Sequence, residues 1–519
     1  MQVAQSALAA VLARTNPELS TEDIANFQEL VGNTLEITDG PGEGRFWSIE
    51  AVTLIDAETW ELTLRNPTSL ESAGIADIGM PDSESSFAIA DPSETFFVDE
   101  DASIDRINVF NDGSITDDVG TLQAIEVANS LVTLEAALNL SGLGMGGDYT
   151  ADLGTAATGD DITFAGGITV DDLEIFELML GQGNDTLTIE DTLRNPANHG
   201  GVTIVHGGGN QILDAADNIG NEAGEMGGDS IIVNGGGGAN SPLIVYGDTS
   251  QDGTRYAGTT DANPETLANQ FDNAGNDFID AHGASETVAL YGGEGNDRIW
   301  GGDAGDIIAG GSGDDEIHGQ GGSDLIYGDS GINVDPITRF MTVPTINAST
   351  NPNKDDLEVG DDTIYGDGGE DIVFGDHGII TLVDPDAALW TATHSAILQI
   401  ETAVINVGGD DIIYGGDDAD ILIGGSNRLD GEERCGDAID GGNDDDLIFG
   451  DNVVLQHRAA GTGQTADPRL RSLNGTELYD GQGGIGANSE VSFGNLQVQA
   501  SWAEYEIVEL NHSFDIQEA

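Results

Sequence analysis

The pattern of apolar and polar residues between positions 292 and 327 repeats every nine residues. Four consecutive blocks read GGEGNDRIW, GGDAGDIIA, GGSGDDEIH and GQGGSDLIY. Each block has Asp at its sixth position and Ile at its eighth, and glycine fills most of the first four. Glycine allows the positive φ angles of a tight turn, and one inward aliphatic residue suits a very short strand. The pattern therefore predicts a stack of turns and short parallel strands, with two blocks forming each coil.

The same spacing returns further along the chain. Three more pairs and two single copies have as their sixth-position residues Asp362, Asp371, Asp411, Asp420, Asp437, Asp446, Asp185 and Asp277. Three runs end with an aromatic residue, Gly and then Asp, at Asp329, Asp376 and Asp451. Segments without the repeat follow these residues. We interpret them as exits from the stack into loops or small excursions, at about 330–356, 378–404 and 452–475.

Outside the repeats, shorter runs of alternating apolar and polar residues are typical of strands. Residues 34–64 alternate around the turn sequence GPGEG, which predicts a small antiparallel sheet. The apolar run Ala7–Ala13 precedes Pro17, and Ser20 precedes Ile24, which together predict a short N-terminal helix.

These patterns predict a mainly β chain. Its centre is a parallel β-roll, or β-solenoid, of nonapeptide repeats interrupted by loops, preceded by small β-rich modules and the short N-terminal helix. The predicted segments are 1–95 (β-rich module with the helix), 96–175 (β-rich), 176–290 (irregular start of the solenoid), 291–450 (β-roll) and 451–519 (C-terminal β cap).

Composition restricts the possible partners. The chain has 95 acidic and 14 basic residues, a formal net charge of −81, which repels nucleic acids and anionic membranes and favours cations. The single lysine, Lys354, precedes Asp355, which excludes a Walker A phosphate loop. Cys435 is the only cysteine, so an intramolecular disulfide and a multi-cysteine zinc site are excluded. No run approaches the roughly 18 apolar residues of a membrane helix, so we expect no membrane insertion.

The aspartates of stacked coils would lie in rows, with Asp297 above Asp315 on one side and Asp306 above Asp324 on the other. At a strand spacing of about 4.8 Å, neighbouring carboxylates would repel by about 3 kcal/mol at an effective dielectric near 20. A hard divalent cation removes this repulsion. Carboxylate and backbone carbonyl oxygens in a flexible geometry favour calcium over magnesium, so we expect several calcium ions whose binding contributes to folding.

The blocks resemble the haemolysin-type calcium-binding repeat, the RTX nonapeptide GGxGxDxUx, which forms a parallel β-roll with calcium in its turns. The resemblance implies that sixth-position carboxylates and turn carbonyls are the calcium ligands. The implied ligand residues are Asp297, Asp306, Asp315, Asp324, Asp362, Asp371, Asp411, Asp420, Asp437, Asp446 and Asp185, with Gly293, Gly295, Gly302, Gly311 and Gly313. Ala304, Gln320, Arg434 and Cys435 depart from the repeat, and we expect weaker or empty sites there.

From about Phe96 onward the chain is also similar to segments of very large secreted bacterial proteins that carry such repeats. This resemblance implies an extracellular location, at the cell surface or secreted, export by a type I route, and a chain that is part of a longer one.

Two other motifs have competing interpretations. Gly328-Asp329-Ser330-Gly331 resembles a serine nucleophile turn, but it lies where the next repeat should begin, so an exit from the stack is the better interpretation. Asp248, Ser250 and Asp252 resemble half of an EF-hand loop, in which Thr259 takes the place of the final Glu.

Three functions remain open from the sequence. The first is a non-enzymatic, extracellular structural or adhesive protein that folds on calcium binding. The second is a calcium-dependent accessory region of a secreted hydrolase or carbohydrate-active enzyme, and the third is a self-assembling surface layer. Besides calcium ions, the expected partners are a cell surface, a carbohydrate or another copy of the chain.

Overall fold

The computed structural model describes part of the chain, and every regular element in that part is a strand. Before residue 104 it describes residues 2–4, 34–39, 46–56, 59–65 and 86–90. From 104 to 511 it describes the chain with gaps, the longest at 152–161, 195–200, 209–227, 254–273, 346–354, 385–395, 427–435 and 458–504. The predicted N-terminal helix lies outside the described residues. No helix long and apolar enough to cross a membrane occurs among those described.

The chain divides into two compact units, Met1–Ser103 and Ile104–Ala519. The first contains a five-stranded antiparallel sheet, as the alternation within residues 34–64 predicts. In spatial order its strands are β1 (Gln2–Ala4), β4 (Thr59–Arg65), β3 (Phe46–Asp56), β2 (Thr34–Asp39) and β5 (Ser86–Ala90). Ile49 and Leu62 are buried in this sheet.

The second unit is built on two long sheets, which are parallel over most of their length. Sheet I consists, in spatial order, of β11 (Ile168–Val170), β8 (Thr133–Gly142), β7 (Val119–Ala128), β13 (Thr186–Ile189), β15 (Ser230–Val233), β17 (Phe278–Asp280), β19 (Arg298–Trp300), β21 (Glu316–His318), β25 (Thr363–Gly368), β29 (Ile412–Asp417) and β31 (Ala438–Gly442). Sheet II consists of β32 (Leu447–Phe449), β30 (Ile421–Ile423), β26 (Ile372–Phe374), β22 (Leu325–Tyr327), β20 (Ile307–Ser312), β18 (Val288–Glu294), β16 (Leu243–Tyr246), β14 (Val202–His206), β12 (Ile175–Met179) and β6 (Arg106–Phe110). Successive repeat strands alternate between the sheets, which confirms the predicted β-roll.

The register of the sheets follows the nonapeptide. Ile299 pairs with Ile317 in sheet I, and Ile308 pairs with Ile326 in sheet II. All four side chains are fully buried in one core between the two sheets. The eighth position of each block therefore supplies the interior of the coil.

Both sheets extend further toward the N-terminus than the nonapeptide pattern does. Strands β6 and β7 already belong to them, so the sheets run through the predicted boundaries at 175/176 and 290/291 without interruption. The physical reason is that apolar strands such as β12 can form a coil without the glycine-rich turns that make the repeat visible in the sequence. Strands β9 (Tyr149–Ala151) and β10 (Ile162–Phe164) form a separate antiparallel pair.

Of the two alternatives from the sequence, loops or small excursions, the structure has excursions that contain strands. Strands β23 (Asn333–Val334) and β24 (Met341–Thr342) form a hairpin. A four-stranded antiparallel sheet consists, in spatial order, of β27 (Gly378–Leu382), β28 (Ile397–Thr402), β33 (Asn452–His457) and β34 (Tyr505–Asn511). We call the segments that follow Asp248, Asp329 and Asp376 the excursions.

Two of the excursions cover the outer face of sheet II. Leu357 and Ile400, from the excursions after Asp329 and Asp376, lie in one core cluster with Tyr327 and Phe374 of that sheet. The middle strands of sheet II, such as β22 and β26, are therefore buried on both faces, whereas strands of sheet I such as β19 and β21 alternate between buried and partly exposed residues.

Two neighbouring residues of β29 test this assignment of faces. Ile413 is fully buried and Ile412 is 40% exposed. We expect Ile413→Ala to lower the free energy of unfolding by about 2–5 kcal/mol, because it leaves a cavity in the interior. The matched variant Ile412→Ala should change it by less than about 1 kcal/mol. Urea unfolding in saturating calcium measures both values, and equal losses would contradict the register described here.

Candidate metal centres in the turns

The sixth-position aspartates form two ladders, one along each row of turns, as the sequence predicts. Within a ladder, the backbone N–H of one Asp donates to Oδ1 of the Asp in the next coil. The N–H of Asp297 donates to Asp315 at 2.7 Å, and that of Asp306 donates to Asp324 at 2.7 Å. Ladder A contains Asp185, Asp229, Asp277, Asp297, Asp315, Asp362, Asp411 and Asp437. Ladder B contains Asp306, Asp324, Asp371, Asp420 and Asp446.

The second carboxylate oxygen of most ladder residues is buried and accepts no hydrogen bond. Those with such an Oδ2 are Asp185, Asp229, Asp297, Asp315, Asp324, Asp362, Asp371, Asp411 and Asp420. A buried carboxylate oxygen without a partner is costly, so nearly all such groups in folded proteins find one. A repeated set of them indicates that the partner of Oδ2 is a cation.

Three predicted ligands differ from this pattern. Both carboxylate oxygens of Asp306 accept backbone N–H groups, from Val288 at 2.8 Å and Gly302 at 2.7 Å. Asp437 and Asp446, in the last coil, are only partly buried. Their turns are therefore less enclosed than those of the preceding coils.

The first-position glycine leaves the space in which a cation would lie. A Cβ added to Gly310 would collide with Oδ2 of Asp315 and lie 2.6 Å from the carbonyl oxygen of Gly328 in the next coil. The same arrangement recurs at Gly292, between Asp297 and the carbonyl oxygen of Gly310. Each space is thus bounded by a carboxylate and a carbonyl oxygen, which are ligands that calcium prefers.

Four of the five predicted turn glycines have the backbone conformation that the turn requires. The φ angles of Gly293, Gly295, Gly311 and Gly313 are 120°, 144°, 116° and 129°, in the region that side chains disfavour. Gly302 is the exception, because its φ is not positive and its N–H donates to Asp306.

The electrostatics of the ladders favours cation binding. Burial, and then the charges of neighbouring carboxylates, raise the pKa of Asp324 to about 9 and that of Asp411 to about 10. Burial, followed by the charge of Asp362, raises the pKa of Asp329 well above its usual range. A bound cation would keep these groups ionised at neutral pH.

Side chains alone do not form a complete metal site. Across the described ranges, no three His, Cys, Asp or Glu side chains are grouped to hold a metal ion. Each turn therefore has to add backbone carbonyl oxygens to its carboxylate. Such an all-oxygen set fits calcium and does not fit zinc or copper, which take nitrogen or sulfur ligands.

A second row of side chains lies outside ladder A, at the fifth repeat position. The N–H of Asp314 donates to Oδ1 of Asn296 at 3.3 Å, and the N–H of Asp361 donates to Oδ1 of Asp314 at 2.9 Å. In this row the donor belongs to the later coil, which is the reverse of ladder A. The row lines a groove of about 630 Å³ that also contains Arg298 and Glu316.

Two motifs from the sequence have other roles in the structure. Ser330 is fully buried, and its Oγ accepts the N–H of Gly378 at 3.4 Å, so it is not an accessible nucleophile. Oδ2 of Asp248 accepts the N–H of Glu294 at 3.1 Å, whereas Ser250 donates to Asp252 at 2.9 Å. Asp248 is thus bound to a neighbouring coil.

Sequence reasoning missed Asp229 as a ladder residue. Its N–H donates to Asp277 at 2.6 Å, and its Oδ1 accepts the N–H of Asp185 at 2.6 Å. Gly227 two residues before it and Ile231 two residues after it match the fourth and eighth positions of the repeat, and this signal could have identified the site.

A comparison with protein-family models finds four copies of the RTX calcium-binding nonapeptide repeat, at residues 289–315, 300–335, 358–379 and 408–428. These matches confirm the resemblance seen in the sequence and make residues 289–428 a calcium-binding repeat region. The comparisons with curated proteins and with solved structures found no match.

A substitution at Gly310 tests the position of the cation. Because its φ is not positive, alanine fits the backbone, but its Cβ would occupy the space beside Asp315. We expect Gly310→Ala to raise the calcium concentration at half-saturation by about tenfold. In the control Gly321→Ala, the new Cβ would lie 3.7 Å or more from its neighbours. Calorimetric titration compares the two variants, and equal affinities would contradict the proposed position.

The raised pKa values predict that pH and calcium oppose each other. In the folded stack the pKa is about 7 for Asp306 and about 9 for Asp324, against 3.8 for the unperturbed group. The folded state therefore keeps protons that the unfolded chain loses above about pH 4, and the free energy of unfolding falls as pH rises toward 9. Without calcium, we expect a higher Tm at about pH 5 than at about pH 8. Saturating calcium should reverse this order, because it binds the ionised groups. Thermal melting followed by circular dichroism measures the Tm at each pH with and without calcium. A calcium-free Tm that rises between pH 5 and pH 8 would contradict this prediction.

Proposed function

We propose that the chain is an extracellular, non-enzymatic structural or adhesive module whose coils order when calcium binds. The observation that supports this most directly is the set of buried Oδ2 atoms without hydrogen-bond partners along both ladders. Nothing in a folded protein stabilises such a row of carboxylates as well as an ion that each can bind.

The coupling of calcium to folding follows from the charge. A chain with a net charge of −81 resists compaction, and the ladders bring carboxylates into adjacent coils. Calcium binding supplies the missing attraction, so its free energy becomes part of the folding free energy. The millimolar calcium outside cells matches the range in which extracellular modules bind, about 10⁻⁴ to 10⁻³ M. An extracellular location and a type I export route, both implied by the resemblance, agree with this.

A stack of aromatic rings on sheet I supports a structural role. Trp300, His318, Tyr365 and Tyr414 lie on successive strands, with centroid distances of 5.4, 4.3 and 4.9 Å and nearly parallel planes. Within the row each ring covers a face of the next, which joins successive coils of sheet I, and the last ring, Tyr414, is 40% exposed. Self-association of the chain would be detected by light scattering as calcium is added.

A row of hydrogen-bonded polar side chains within the stack also supports a structural role. His206 bonds Thr249 through Nδ1 at 3.1 Å and Glu177 through Nε2 at 3.1 Å, and Arg106 pairs with Glu177. Although this order resembles a catalytic triad, Thr249 is fully buried and His206 is 2% exposed. These hydrogen-bonded side chains link neighbouring strands of sheet II. Because a substrate could not reach them, they support a non-enzymatic function.

Replacing one carboxylate in each ladder tests the proposal. In Asp315→Asn with Asp324→Asn, the amide oxygen still accepts the ladder N–H, but the NH₂ group cannot bind a cation. We expect wild type to gain β structure by circular dichroism up to millimolar calcium. The double variant should bind fewer ions and need about tenfold more calcium.

The control for this experiment is Asp303→Asn with Asp356→Asn, which removes the same charge from exposed positions. It should titrate like wild type. A wild-type spectrum that stays the same from chelator to millimolar calcium would refute calcium-dependent folding.

A further inference from the structure

The three excursions start at the same repeat position. In uninterrupted turns of ladder A, the second position is Gly293 or Gly311, each with positive φ. In the turns that lead into excursions it is Asp248, Asp329 or Asp376, none of which has a positive φ. All three of these carboxylates are buried.

The second-position Asp also receives the chain when it returns. Oδ1 of Asp329 accepts the N–H of Gly360 at 2.8 Å, across 31 residues of sequence. Oδ1 of Asp376 accepts the N–H of Gly409 at 2.8 Å, across 33 residues. Each second-position Asp thus closes its excursion. The sixth-position Asp of the same turn lies two residues after the glycine that donates this hydrogen bond.

The turn closed by Asp329 contains two carboxylate oxygens that have no hydrogen-bond partner. Asp329 and Asp362 are 0% and 1% exposed, and Oδ2 of each is buried and accepts no hydrogen bond. A Cβ on the intervening first-position residue, Gly328, would collide with Oδ2 of Asp362 and with the carbonyl oxygen of Gly375. The turn therefore offers two carboxylates and a carbonyl, whereas the turn of Asp315 offers one carboxylate and a carbonyl.

We propose that Asp329 and Asp362 bind one calcium ion together, and that this two-carboxylate site closes the excursion and binds calcium more tightly than the turn of Asp315. The inference rests on the proposed calcium-dependent function. Two carboxylates neutralise the charge of the ion, whereas one leaves it half compensated, and ligand charge is a main determinant of calcium affinity.

The turn that begins at Asp248 is a second candidate for tight calcium binding. It is 1% exposed, its Oδ1 is buried without a partner, and its Oδ2 accepts the N–H of Glu294. Asp376 differs, because its two oxygens accept N–H groups from Gly409 and Ser426 at 2.8 and 2.7 Å. We therefore assign the tighter binding to the turns of Asp329 and Asp248.

Asp367 provides a matched control. It occupies the second repeat position in the turn of ladder B, like Asp329 in ladder A. However, its side chain is 37% exposed and accepts hydrogen bonds from Gln320 at 3.1 Å and from His318 at 3.2 Å. Asp329→Asn and Asp367→Asn thus remove the same charge from the same repeat position. The carboxylate is buried within the turn at Asp329 and partly exposed to solvent at Asp367.

Calorimetric titration of the full chain with calcium chloride tests the inference. We expect wild type to show two affinity classes that differ by about tenfold or more. Asp329→Asn should lose one tight site, while its amide oxygen still accepts the N–H of Gly360. Asp367→Asn should keep the wild-type number of tight sites. If Asp329→Asn does not order in saturating calcium, Asp248→Asn decides, since it should lose one tight site from a different turn.

The outcomes separate the two proposals. A wild-type chain that binds calcium in a single affinity class, or an ordered Asp329→Asn variant that keeps every tight site, overturns the two-carboxylate site and leaves calcium-dependent folding intact. A wild-type chain that binds no calcium overturns both.

Discussion

The structure depends on the carboxylates of the ladder aspartates, whose two oxygens have different surroundings. One oxygen of each ladder aspartate accepts a backbone N–H from the preceding coil, which fixes the side chain in the turn. At most ladder positions the other oxygen is held in a buried space beside a carbonyl oxygen, where a cation or a proton can neutralise it. Because the hydrogen bond prevents the side chain from turning outward to water, the stack cannot avoid the electrostatic cost by rearranging. The stability of the coils therefore depends on how the charge of these oxygens is neutralised.

Much of this arrangement could be predicted from the sequence, because the nine-residue period shows both the turn and the short strand of each half coil. The Asp at position six and the Ile at position eight of each block, such as Asp315 and Ile317, are two residues apart in one short strand and its turn. Repetition fixed their register. Asp229 was missed because its block stands alone and lacks the Gly-Asn-Asp sequence that marks the single copies at Asp185 and Asp277.

Other features could not be predicted because they depend on contacts between distant segments. Leu357, Ile400 and Leu455 cover sheet II from three segments that carry no repeat, and their apolar residues find a partner only once the coils exist. Of the second-position aspartates, Asp329 and Asp376 were recognised from the sequence as exits from the stack, whereas Asp248 was interpreted as half of an EF-hand loop. Their role in receiving the returning chain became visible only with the contact between Asp329 and Gly360.

The two rows along one edge of the stack run in opposite directions. At position six the earlier coil donates to the later one, and at position five, from Asn276 through Asp361, the later coil donates to the earlier one. Adjacent coils from the turn of Asp277 to that of Asp362 are therefore joined by reciprocal bonds, and ordering one of these turns orders the donors and acceptors of its neighbours. Such nearest-neighbour coupling makes the array behave as a one-dimensional cooperative system, in which the ordering of one turn favours the ordering of the next.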